Sequence, residues 1–136
     1  MNLAFNYTHL DKVTIWEEAL YQTASTLLYE KVLSATYLKD IVEQINKTGE
    51  YMAITHNTVF WHARPCDEAI RKNFIAYGHL DHPVPYFGKE IKHVFVFGAQ
   101  TDKRHQELLK RLSVFVADAM THPEYYQEEA MKKYFG

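Results

Sequence analysis

The sequence contains little cysteine and shows no excess of charge of either sign. Cys66 is the single cysteine, which excludes an intrachain disulfide and a zinc site built from several thiolates. The formal net charge at pH 7 is −2, so the chain has no overall positive field that would hold a phosphate backbone. We therefore expect no nucleic acid among its partners.

Long apolar runs and glycine-rich loops are also missing. No run reaches the roughly 18 apolar residues that read as a membrane span, and no basic segment precedes an apolar one near the N-terminus, so no secretion signal is predicted. These absences, with the single cysteine, lead us to expect a cytoplasmic protein. With five glycines, the chain has neither GxGxxG nor GxxxxGK[ST], and GxSxG is absent too. Kinase, dehydrogenase and serine-hydrolase sites of these types are excluded.

The composition is that of one folded unit. Hydrophobic residues make up 47% of the 136 residues and charged ones 24%, which is close to the average of globular domains. We expect a single domain over residues 1–136. Helical and β-rich segments alternate, which predicts an α/β fold: one layered domain with a small mixed β-sheet flanked by helices on both faces.

Helix starts are indicated by capping residues. Capping boxes are predicted at residues 14–17 and 121–124, and further caps at Ser34 and at Thr101 or Asp102, with Gly49 ending the second helix. His105 is expected on the inward face of the third helix. The predicted strands are residues 51–54, 59–60, 74–77 and 94–97, the last covered on both faces. Loops are expected at residues 63–73 and 78–90.

Eight histidines are present, and most are expected to have no catalytic role. This group comprises His9, His79, His82, His93 and His122. A metal site formed by His56, His62 and His105 is a weak interpretation, because no HxxxH or HExxH spacing aims two imidazoles from one helix face. We therefore predict no bound metal.

The segment Trp61-His62-Ala63-Arg64-Pro65 carries the most specific signal. It follows Gly49-Glu50-Tyr51 and precedes Pro83-Val84-Pro85-Tyr86-Phe87-Gly88, the apolar run 94–97, and Thr101-Asp102-Lys103-Arg104-His105. In this order and spacing the segments resemble the enzyme IIA domains of the bacterial phosphoenolpyruvate-dependent sugar phosphotransferase system. The resemblance is to the mannitol/fructose superfamily, closest to its ascorbate-type branch, and covers about residues 12–135.

The resemblance implies a phosphotransferase component, with His62 as the phosphorylated residue. His62 would accept a phosphoryl group from the carrier HPr and pass it to a cysteine of enzyme IIB, which serves a membrane enzyme IIC. It also implies that His105 is a second active-site histidine and that no cofactor is needed. Arg64 is a candidate phosphate-binding residue that could equally be solvated or face a partner. A homodimer is left open.

Two departures from the family pattern support an alternative interpretation. Trp61 replaces the proline that usually precedes the active histidine, and His56-Asn57 stands where Pro-Gly is common. A large indole beside the nucleophile could narrow access to it or anchor an interface. The alternative function is a catalytically degenerate, regulatory protein-binding module with the same fold.

Overall fold

The computed structural model describes residues 3–136 and has helices on both faces of one mixed sheet. The α-helices are α1 (Trp16–Tyr29), α2 (Ala35–Thr48), α3 (Asp102–Ala119) and α4 (Glu128–Phe135). The strands are β1 (Ala4–Leu10), β2 (Ala53–Thr55), β3 (Thr58–Trp61), β4 (Phe74–Tyr86) and β5 (Lys89–Gly98). Short 3₁₀ helices cover Gly49–Met52 and Pro123–Tyr126. The predicted α/β architecture is confirmed.

The sheet order is β1-β4-β5-β3-β2. β1 pairs parallel with β4, and β3 pairs parallel with β5, whereas β4 and β5 form an antiparallel hairpin. Because β3 and β5 run parallel, their carboxyl ends lie at the same edge of the sheet. The segments that follow them, residues 62–65 and the start of α3, are therefore brought together.

The two faces of the sheet bury different side chains. Successive strand residues point to opposite faces, so Val59 and Trp61 pack with α1 and α2, while Phe60 packs with α3 and α4. In β5 the same alternation separates Val94 and Val96 from Phe95 and Phe97. Residues 94–97 are all buried, which confirms the prediction of a strand covered on both faces.

Two of the four predicted caps agree with the structure. Ser34 Oγ accepts from the Tyr37 amide, Thr101 Oγ1 accepts from the Arg104 amide, and Gly49 ends α2. The box at residues 14–17 is wrong, because Ile15 occupies the N-cap of α1. Trp16, the first residue of α1, packs on Trp61, with ring centroids 6.0 Å apart, and tertiary packing is able to override a local capping signal.

The C-terminal prediction is also wrong in detail. The box at residues 121–124 does not open the terminal helix: His122 caps a 3₁₀ turn, and α4 begins only after the extended residue Gln127. The intervening turn is held to the sheet because the Tyr126 ring stacks on His93, with centroids 3.7 Å apart.

Three further differences concern strands. β1 was not predicted. Residues 51–52 lie in a 3₁₀ turn, so the predicted strand 51–54 is reduced to Ala53–Thr55. Most of the predicted loop 78–90 is strand, since β4 runs to Tyr86 and turns through Phe87 and Gly88, both at positive φ.

No helix within residues 3–136 has the length and apolarity needed to cross a membrane.

Candidate active site

A cavity of about 340 Å³ lies where the carboxyl ends of β3 and β5 meet. Its walls come from the last turns of α2, the 3₁₀ turn after it, the segment following β3, and the first turn of α3. The lining residues are Gln44, Thr48, Tyr51, Met52, His62, Ala63, Arg64, Pro65 and His105. All three residues proposed from the sequence, His62, His105 and Arg64, are therefore at one cavity.

His62 follows β3 directly and keeps the alternation of that strand. Its ring stacks on Phe97 of the neighbouring strand β5, with centroids 4.8 Å apart and planes at 28°. His62 Nδ1 lies 3.0 Å from the carbonyl oxygen of Phe60. A carbonyl oxygen can only accept a hydrogen bond, so Nδ1 carries the proton and donates this hydrogen bond. Nε2 is left with a free lone pair. The backbone of β3 thus selects the tautomer of the neutral ring.

His105 faces His62 from the first turn of α3. The two ring centroids are 5.2 Å apart, and the His105 centroid is also 5.2 Å from that of Phe97. His105 Nδ1 is buried and has no hydrogen-bond partner among residues 3–136. A proton on Nε2 gives the neutral ring one N–H with which it can donate to a ligand in the cavity.

Both imidazoles are held in their neutral form near pH 7. Burial lowers the pKa of His62, and the nearby His105 lowers it further, although the Phe60 carbonyl raises it. Burial also lowers the pKa of His105, opposed by the carboxylate of Asp102. Neutral imidazoles supply one nucleophilic nitrogen and one hydrogen-bond donor to the same cavity.

Arg64 is exposed where it lines the cavity. Its guanidinium is permanently charged and carries five N–H donors. The site therefore has one fixed positive charge beside two neutral rings.

Tyr37 is a positioning residue that the sequence reasoning missed. Its buried hydroxyl accepts from the Ala63 amide at 3.1 Å and donates to the carbonyl of Phe97 at 3.0 Å. It ties the residue after His62 to the end of β5. Tyr37 lies four residues before Ile41, which is on the predicted buried face of α2. This spacing predicts that the Tyr37 side chain points inward.

Trp61 does not lie beside His62 in space. Its side chain is fully buried on the opposite face of β3, where Nε1 donates to the Tyr86 hydroxyl at 3.1 Å. The Tyr86 hydroxyl donates in turn to the carbonyl of Gly49 at 2.6 Å. The expectation that Trp61 narrows access or anchors an interface is wrong, because strand alternation separates it from His62.

His56 and Asn57 form the turn before β3, at the opposite end of that strand from His62. The Asn57 side chain accepts from the hydroxyls of Thr55 and Thr58 at 2.9 and 3.1 Å. The departure from Pro-Gly therefore lies away from the cavity. The interpretation of His56, His62 and His105 as joint metal ligands is wrong for the same reason.

Cys66 is half-buried against the core, and its amide donates to the carbonyl of Ala99 at 3.2 Å. It is not among the lining residues of the cavity.

Comparison with known proteins identifies the family. The model of the EIIA 2 family of the phosphoenolpyruvate-dependent sugar phosphotransferase system matches residues 4–123. A search of curated proteins finds no significant match.

Solved structures share the fold at low sequence identity. The mannitol enzyme IIA of Escherichia coli superposes with a TM-score of 0.76 at 12% identity, covering 96% of each chain. A complex of mannitol enzyme IIA and phosphorylated enzyme IIB from Escherichia coli gives 0.77 at 13%, covering 96% of this chain and 93% of that one. The mannitol-specific cryptic enzyme IIA of Escherichia coli gives 0.68 at 19%, covering 98% and 82%. The family match, which spans most of the chain, shows that this protein belongs to the EIIA 2 family of the phosphoenolpyruvate-dependent sugar phosphotransferase system.

Proposed function

We propose that the chain is a single-domain phosphocarrier in which His62 Nε2 accepts a phosphoryl group from the phosphohistidine of HPr. In this step the N–P bond of HPr breaks and a new N–P bond forms at Nε2. In the next step that bond breaks and an S–P bond forms on a cysteine of enzyme IIB. The observation that carries the proposal is the hydrogen bond from His62 Nδ1 to the Phe60 carbonyl, on a ring that lines the cavity with His105 and Arg64.

The Phe60 carbonyl has a role both before and after phosphoryl transfer. Before transfer it holds the proton on Nδ1, so that Nε2 attacks as a free lone pair. After transfer the ring carries phosphorus on Nε2 and a proton on Nδ1, and is therefore positively charged. The carbonyl dipole stabilises this charge through a charge-assisted hydrogen bond. The buried cation remains costly, which keeps the phosphoryl group ready to leave.

His105 and Arg64 are proposed to stabilise the negative charge of the phosphoryl oxygens. Phosphoryl transfer requires that the attacking and leaving atoms lie in line with the phosphorus. It also requires hydrogen-bond donors that point at the phosphoryl oxygens, over which the negative charge is spread. His105 supplies an N–H from the first turn of α3, where the helix dipole also favours an anion. Arg64 supplies a fixed positive charge at the exposed side of the cavity.

The partners follow from the same scheme. One structure with this fold is described as enzyme IIA in complex with phosphorylated enzyme IIB, which supports an enzyme IIB as the acceptor for this chain. HPr is the proposed donor, and a membrane enzyme IIC is reached only through enzyme IIB.

The experiment is phosphorylation of the purified protein by phosphoenolpyruvate, enzyme I and HPr. We expect a gain of one phosphoryl mass that is labile in acid and stable in base, and that maps to the peptide containing His62. His62→Ala should abolish the adduct, whereas the control His82→Ala, at an exposed histidine of β4, should leave it unchanged. Failure of the wild type to gain the group, or an adduct that survives in His62→Ala, would overturn the proposal.

A further inference from the structure

A second cavity, of about 400 Å³, lies at the other end of β3 from His62. It is bounded by the turn before β3, by β4 and β5, by the last turn of α3 and by the 3₁₀ turn after it. The polar part of its lining includes His56, His79, Lys92 and His93. We call it the histidine cavity; the phosphocarrier proposal makes no use of it.

Strand register places two of these histidines side by side. His79 of β4 pairs with His93 of β5, and their ring centroids are 5.6 Å apart. Tyr77 lies on the same face two residues before His79. Its hydroxyl is 2.9 Å from His79 Nδ1 and 2.6 Å from His93 Nδ1. One tyrosine hydroxyl therefore joins both rings.

The shared hydroxyl dictates where the ring protons lie. A hydroxyl has one proton, so with both rings neutral Tyr77 donates to one Nδ1 and accepts from the Nδ1–H of the other ring. The ring that accepts at Nδ1 then carries its own proton on Nε2. One of the two histidines thus offers an Nε2–H donor that Tyr77 does not use.

Lys92 adds a charge at the same place. The amides of Lys92 and His93 both donate to the carbonyl of Asn57, at 2.8 and 3.0 Å. Both Lys92 and His93 line the histidine cavity.

Lys92 gives the lining of the cavity a positive charge. Burial, His79 and Lys92 together lower the pKa of His93 to about 3. Burial, with His9 and Lys92, lowers the pKa of His79 despite the nearby Asp81. Lys92 is the permanent cation in the lining, and none of the described lining residues is acidic.

The wall formed by the end of α3 and the turn that follows it is apolar. Val116, Ala119, Met120 and Pro123 face the cavity from the end of α3 and the turn that follows. The volume falls within the range of about 300 to 1,000 Å³ that is usual for small-molecule sites.

We propose that the histidine cavity binds a small monocarboxylic acid with an apolar body. The carboxylate lies between the Lys92 ammonium and the free imidazole N–H of the His79–His93 pair. The body of the ligand packs against the end of α3. A single fixed positive charge matches a monoanion better than a phosphate dianion, which would bring one unpaired negative charge into the cavity.

The test is a titration of the isolated, unphosphorylated protein with phenylacetate, followed by calorimetry and by the imidazole resonances of His79 and His93. We expect saturable binding that shifts both resonances. Phenylacetamide, which has the same shape without the charge, should bind at least about tenfold more weakly, and so should the dianion phenyl phosphate. Lys92→Met should weaken phenylacetate binding about ten- to hundredfold, the scale of a lost charge-assisted contact.

Two controls separate this inference from the phosphocarrier proposal. Lys110→Met removes an exposed charge from the middle of α3 and should leave phenylacetate binding unchanged. His62→Ala should bind phenylacetate like the wild type although it cannot be phosphorylated. Absence of saturation by 10 mM phenylacetate, equal binding of phenylacetamide, or unchanged binding in Lys92→Met would overturn the inference; stronger binding of phenyl phosphate would overturn the choice of a monocarboxylate.

Discussion

The Tyr37 hydroxyl offers a quantitative test of how the segment after His62 is held in place. Tyr37→Phe removes one oxygen from a fully buried side chain and keeps the ring. The Ala63 N–H, which donates to that oxygen at 3.1 Å, and the Phe97 carbonyl, which accepts from it at 3.0 Å, lose this partner together.

The expected cost follows from those two groups. Leaving a buried donor or acceptor unsatisfied costs about 1 to 3 kcal/mol. Ala63 is 5% exposed and Phe97 0%, so water cannot readily replace the lost contacts. We therefore expect the free energy of unfolding to fall by at least about 2 kcal/mol, the sum of the two lower limits.

Urea denaturation measures this change, with Tyr29→Phe as the matched control. Tyr29 is 88% exposed, and surface substitutions of this kind usually stay within about 0.5 kcal/mol of the wild type. Transfer from phospho-HPr, measured under conditions where both variants are folded, should be slowed in Tyr37→Phe and not in Tyr29→Phe. A stability of Tyr37→Phe within about 0.5 kcal/mol of the wild type would refute the reasoning.

Four further outcomes are expected. His105→Ala should slow single-turnover transfer from phospho-HPr about ten- to hundredfold, because one hydrogen bond to a charged group is lost; an unchanged rate would place His105 outside the mechanism. The rate of transfer to His62 should fall as pH falls through the pKa of that ring, which burial sets below 6.5, so a pH–rate profile with its midpoint above 6.5 would contradict the assignment. Gly78→Ala should lower the melting temperature, since the added Cβ would overlap Thr23 Oγ1; calorimetry that shows no decrease would mean that α1 moves freely away from β4. Cys66→Ser should leave the yield of phosphorylated His62 unchanged, and loss of transfer would mean that the thiol takes part.

Helix caps and buried strands that depend only on neighbouring residues in the sequence were predicted correctly from local patterns. Ser34 and Thr101 act as caps as expected, and the apolar run 94–97 is a buried strand. The juxtaposition of His62 and His105 was expected only through the family resemblance, because it depends on the parallel pairing of β3 with β5. No periodicity within either segment contains that information.

The elements that were missed depend on partners distant in the chain. β1 pairs Ala4 with Phe74, and polar residues such as Asn6 and Thr8 weaken its local signal. The predicted loop 78–90 overlaps the second half of β4, which contains two prolines. Pro83 and Pro85 are exposed, and the pairing with β5 is irregular between His79 and Val84. Proline is tolerated at irregular positions of this kind.

The role of Trp61 was misjudged for a simpler reason. Neighbours in sequence on a strand are on opposite faces in space. Applying the alternation of Val59, Phe60 and Trp61 to the next residue would have separated the indole from His62.

The hydrogen bond that orients His62 comes from the main chain, and this makes the site resistant to mutation in a particular way. A side-chain partner could be lost by a single substitution, whereas every residue that can occupy position 60 brings a carbonyl with it. Replacing Phe60 would disturb the aromatic layer beneath α3 and leave the proton on the same nitrogen. The tautomer of His62 is therefore set by the path of the backbone, and chains that share almost none of the surrounding side chains can have the same tautomer.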